Sequence, residues 1–218
     1  MNQPPTADSS LVVSYLVLRR AIGIIGTALP FVLVIGKRLL AGPGLPPSMS
    51  AYYYTNMRDV FVGSLCAIGV FLLSYRGYER TDDLAGDLAC AFAIGVALFP
   101  TRPESSVTHR DAVVGAVHYA FAAALFFTFA FFSLHLFRKT DRPTSMTRRK
   151  RHRNLVYTVC GYTILLCIAL LGVNALFLGG TAVERLDPVF WLEGLAVVSF
   201  GVSWLTKGES LLRDTPAP

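Results

Sequence analysis

The chain is built of six long apolar runs, at about 21–40, 60–75, 84–99, 112–137, 155–178 and 189–205, joined by short polar segments. A bilayer-spanning helix needs roughly 20 mostly apolar residues. Lipid offers no water to satisfy backbone N–H and C=O groups, so an unbroken apolar run at that depth must be helical. Composition agrees, with 53% hydrophobic and only 16% charged residues and a mean hydropathy of +0.51, more than one soluble core requires. The expected fold is an all-α integral membrane protein, a six-transmembrane-helix bundle forming a single membrane domain over residues 1–218.

A net charge of +6 and a pI near 9.3 can indicate a nucleic-acid partner, but the basic residues lie in the joints between apolar runs. That placement reads as membrane topology, because Lys and Arg are retained on the cytoplasmic side. With the N-terminus inside, inner segments hold 14 of the 20 Lys and Arg residues and outer segments hold 6. Both termini are therefore expected in the cytoplasm, with the chain multi-pass in a bacterial inner (plasma) membrane and membrane lipid, not nucleic acid, as its partner. The stretch Met1 to Ser10 lacks a basic start and a small-residue cleavage site, so the first span is expected to stay in the mature protein.

The tract from Arg138 to Asn154 contains RRKRHR. It has two readings, a site for anionic headgroups or the topological anchor that the charge count requires. Cys66, Cys90, Cys160 and Cys167 all fall in apolar segments without metal-type spacing and read as small buried apolar residues. Trp191 and Trp204 bracket the last run as interfacial anchors, and Asp87 is expected either to pair with Arg76 or Arg80 or to stabilise a helix N-terminus.

Polar residues gather at the outer end. The loop before the second run supplies Ser48, Ser50, Tyr52, Tyr53, Tyr54, Arg58 and Asp59; the fourth run and its approach supply His109, Asp111 and His118; the sixth supplies Glu193. Ionisable groups inside a span are costly in lipid, so they face the bundle interior and mark function by default. Asp59, His118 and Glu193 are the candidate catalytic residues of one outward-facing cavity, with Ser48, Ser50, Tyr52, Tyr53, Arg58 and His109 as candidate ligand-binding residues near its mouth. The three tyrosines are expected to fold back over the bundle. Asp59, His109 and His118 form a candidate metal set for Zn, which would lower the pKa of a bound water. His109 and His118 are nine residues apart, on opposite faces of a helix that contains both, so they converge only if His109 lies in the loop. A structural polar network and a metal-free ligand pocket are the alternatives.

The segment LPPSMSAYYYTNMRDVFVGSLCAIGVFLLSYRGYERTDD, with GVALFPT, FWLE and FGVSWLTKGE, resembles a bacterial six-span membrane family known mainly as a domain of unknown function. The loop PSMS followed by an aromatic, glycine-bearing span is more distantly similar to the Frag/DRAM/Sfk group, some of which act in lipid-anchor remodelling or autophagy. Ser50, Asp59, His109 and His118 are also similar to part of the Ser, Asp and three-His metal set of the CREST membrane hydrolases. That family has seven spans and an HxxxH, which this chain lacks. These resemblances imply a six-span protein whose outward pocket binds, and in the hydrolase case cleaves, a lipid or other amphiphile. A small-solute transporter or channel, and an accessory subunit of a membrane complex, are the rival readings.

Overall fold

The computed structural model describes residues 7–77, 79–139, 148–179 and 181–212, with side chains described from residue 15 onward. Among them there is no strand. Six helices carry the fold: α1 (Ala7–Ala41), α2 (Arg58–Leu73), α3 (Arg80–Leu98), α4 (His109–Leu134), α5 (Arg148–Val173) and α6 (Pro188–Lys207). Each helix packs on the next in sequence, α1 packs on α6, and the six close into a ring of alternating direction. Part of the basic tract, residues 140–147, and Arg213 lie outside the described residues.

Four of the elements are long and apolar enough to cross a membrane: Tyr15–Ala41, His109–Arg138, Arg148–Leu178 and Pro188–Lys207. The remaining two are less suited by length and charge. At ~1.5 Å per residue the 16 residues of α2 reach roughly 24 Å, short of a hydrocarbon core of about 30 Å. α3 has 19 residues but carries Arg80, Asp82, Asp83 and Asp87 in its first half. Pro30 sits within α1, which continues through it.

The ring is closed by small residues. A Cβ on Gly201 of α6 would lie 2.4 Å from the backbone nitrogen of Thr27 in α1. Without a hydrophobic force between helices in lipid, such close backbone approach is what lets helices associate. The bundle axis is apolar: Phe129 and Phe200 stack with ring centroids 3.5 Å apart, and Ile68, Leu72 and Phe132 are buried beside them. Farther toward the end holding both chain termini, Trp204 is fully buried among Tyr75, Phe132 and Phe137. The expectation that Trp204 is an interfacial anchor is therefore corrected, since α6 turns that face into the bundle; Trp191, 60% exposed, faces outward.

That same end is laced by charge. Lys139 donates to the buried Asp82 at 2.5 Å and to Glu79 at 3.0 Å, tying the start of α3 to the segment after α4. Arg76 pairs with Asp87 at 3.4 Å, and Arg20 donates to the Gly208 carbonyl at 2.8 Å, holding the α1 and α6 ends together.

Candidate functional site

The opposite end is covered by the loop between α1 and α2, whose residues Ser50–Tyr54 form a 3-10 turn. Ser48 Oγ accepts the Ala51 N–H at 3.0 Å and stabilises the turn locally. Tyr52 is fully buried against Phe190, and Tyr54 donates to the Thr101 carbonyl at 2.6 Å, so two of the three tyrosines anchor the loop to the bundle. Burial pushes the hydroxyls of both Tyr52 and Tyr54 above their ordinary pKa. Tyr53 accepts from Arg58 at 2.6 Å while the guanidinium lies 4.2 Å from its ring centroid.

The loop is pinned from below by Glu193. Its Oε2 accepts the Met49 N–H at 2.7 Å and the Ser50 N–H at 3.3 Å. Beneath lies a small cavity of about 40 Å³, bordered by Met49, Ser50 and Glu193 at its outer end and otherwise by apolar residues such as Leu29, Leu65 and Phe129. That volume suits water, which needs roughly 10–15 Å³, and not a lipid chain.

Glu193 also borders a second and larger space. A lateral groove of about 500 Å³ runs between α4, α5 and α6, lined by Tyr119, Ala122 and Phe126 of α4, by Ile168 and Leu171 of α5 and by Asn174 beyond it. Gly172 contributes to its wall, and a Cβ built there meets nothing within 4 Å. At Asn174–Leu178 the fifth helix loosens into a π-helical turn, a form that recurs at functional sites. Asn174 Oδ1 is buried without a hydrogen-bond partner.

The structure does not bring Asp59, His118 and Glu193 to one cavity. Phe61, Leu65, Ile68 and Leu72 form the buried face of α2, and Asp59, two residues before Phe61, is rotated about 160° from it and exposed. His118 is 1% exposed, but its Nδ1 donates to the Phe99 carbonyl at 2.6 Å, satisfying an orphan acceptor at the C-terminus of α3. It borders neither the cavity nor the groove described above. Arg58 turns to Tyr53, away from Asp59.

The candidate zinc set does not form either. His109 is the first residue of α4, not part of the preceding loop, so it and His118 share one helix on opposite faces. Thr108 and Asp111 form a capping box for that helix, with Asp111 Oδ2 accepting the Thr108 N–H at 2.9 Å. Among the described residues no three His, Cys, Asp or Glu side chains are grouped to hold a metal ion. Asp59, His109 and His118 therefore do not fit a zinc ion.

Sequence reasoning that follows ionisable groups passes over Asn174, Gly172 and Tyr119. Asn174 had a signal, an amide near the end of an otherwise apolar run. Comparison of this chain with protein-family models, with curated proteins and with solved structures finds no match.

Proposed function

We propose that this protein crosses a bacterial inner membrane six times, with both termini cytoplasmic, and binds an amphiphile in the lateral groove between α4, α5 and α6. The groove carries the reading. Its volume lies within the roughly 300–1,000 Å³ of small-molecule sites, its lining is mainly apolar, and its few polar groups cluster at one end. Asn174 and Glu193 lie toward the loop-covered end, Tyr119 reaches that way to meet Thr101, and Phe126 and Ile168 lie nearer the middle of the helices. An amphiphile fits that gradient with its head beside Glu193 and its chain running down the groove. The six-span topology is supported by the shared ring, in which α2 and α3 stand among the four longer apolar elements, and by the 14 to 6 distribution of basic residues.

Binding alone is proposed; among the described residues no hydrolytic constellation converges on the groove. A solute channel is disfavoured by the mainly apolar interior, where Phe129 and Phe200 stack and Phe132 is fully buried. Gly172→Phe tests the reading, because its side chain enters the open groove without a backbone clash. A fluorescent long-chain alcohol in nanodiscs should bind wild type and lose at least about tenfold in affinity to this variant, about 1.4 kcal/mol. Equal binding by a folded Gly172→Phe protein would overturn the assignment.

A further inference from the structure

We infer that the head group recognised in the groove is a primary ammonium, and that amphiphiles with anionic heads are excluded; this rests on the groove being the binding site. The polar lining of the groove is rich in acceptors. Glu193 Oε2 is occupied by the Met49 and Ser50 N–H groups, while Oε1 has no hydrogen bond among the described residues. Asn174 Oδ1 is shielded from water and unpartnered. Tyr119 Oη is turned to Thr101 Oγ1 at 3.0 Å, on the side of Arg102, whose guanidinium lies 6.0 Å from the ring centroid.

A buried acceptor left unmade is expensive, so a ligand that supplies donors gains most here. An alkylammonium head has three N–H donors and no acceptor, and so suits the unpaired oxygens of Glu193 and Asn174. A carboxylate or phosphate head is acceptor-only and would face the Glu193 carboxyl oxygen without a donor. The groove lining also contains no Lys, Arg or His. Of the cationic side chains at this end, Lys37 and Arg102 border a different depression beside Tyr54 and Glu104, Arg58 turns to Tyr53, and Arg185 borders a third beside Glu184. Charge complementarity therefore runs one way, toward a cation at Glu193.

A primary ammonium can belong to a single-chain amine or to an aminophospholipid headgroup, and a binding experiment with two arms separates them. Full-length protein in phosphatidylcholine nanodiscs is titrated with dodecylammonium, dodecanol and dodecanoate, against empty nanodiscs for partitioning. Dodecylammonium should bind at least about tenfold more tightly than dodecanoate. Glu193→Gln, which keeps an oxygen for the Met49 and Ser50 N–H groups, should bring the two within about threefold. Asn174→Leu, which does not touch the loop, should weaken dodecylammonium binding by itself and guards against a folding defect in the first variant. In the second arm, phosphatidylethanolamine in the nanodisc competes with dodecylammonium if the natural source is an aminophospholipid and does not if it is a single-chain amine. Equal or tighter binding of dodecanoate overturns the head-group inference while the groove reading stands. Failure of all three probes to bind above the empty nanodisc removes the groove reading and the inference with it.

Discussion

Glu193 Oε2 lies 2.7 Å from the Met49 backbone nitrogen, joining a carboxylate inside α6 to a loop 144 residues earlier. The contact makes one side chain a wall of the groove and the tether of the loop that covers the bundle end. Replacing Glu193 by Ala should cost about 1–3 kcal/mol, the range for buried donors left unmade. It should also raise amide exchange at Met49 and Ser50. Unchanged exchange at those two amides would show that the loop is held by its tyrosines alone.

His118 is expected to act as a structural cap for α3. His118→Ala leaves the Phe99 carbonyl without its donor and should destabilise the protein by about 1–3 kcal/mol. Amphiphile binding and the metal content of the purified protein should stay as in wild type. A loss of bound zinc on this substitution would restore a metal role for His118.

Stability at the end bearing both termini should depend on pH through the Lys139 cluster. The hydrogen bond from Lys139, with its charge, holds the Glu79 carboxyl below its ordinary value of 4.5. A depressed folded pKa means that the contribution is present above that ordinary value and is lost as pH falls through the lower folded one. Lys139 is raised by its bonds to Asp82 and Glu79, so its contribution is present below the ordinary lysine value and is lost as pH rises through the raised one. Glu79→Gln should flatten the acid limb of a thermal-unfolding profile below about pH 4.5 and leave the alkaline limb largely in place. An acid limb identical to wild type would remove Glu79 from the account.

The proposed orientation predicts opposite labelling at the two ends. Single cysteines at Ser105 and Arg151, in a background lacking the four native cysteines, should differ toward an impermeant maleimide on spheroplasts. Ser105→Cys should react and Arg151→Cys should react only after permeabilisation, since the basic α5 start is retained inside. The reverse pattern would invert the topology.

The apolar runs were legible because a fixed bilayer thickness and the need to satisfy every backbone group leave few choices for such segments. Six runs of the sequence became six helices, with ends shifted by the caps of each one. His109, for instance, belongs to α4 because Thr108 and Asp111 start the helix there. Glu193 and His118 stood out as ionisable residues in apolar surroundings. What each does was hidden, because their partners are backbone groups of Met49, Ser50 and Phe99, and a backbone donor or acceptor carries no residue identity to read.

Rotation of each helix about its axis was decided only by tertiary packing. Asp59 turned outward because Phe61, Leu65, Ile68 and Leu72 were buried, and Trp204 turned inward to meet Tyr75, Phe132 and Phe137. The groove itself arises where Gly172 leaves space beside α4 and Asn174 begins a π-helical turn. Apolar run length marks four elements as able to cross a membrane, but a void between three helices depends on side-chain volumes contributed from distant parts of the chain, and only folding brings those volumes side by side.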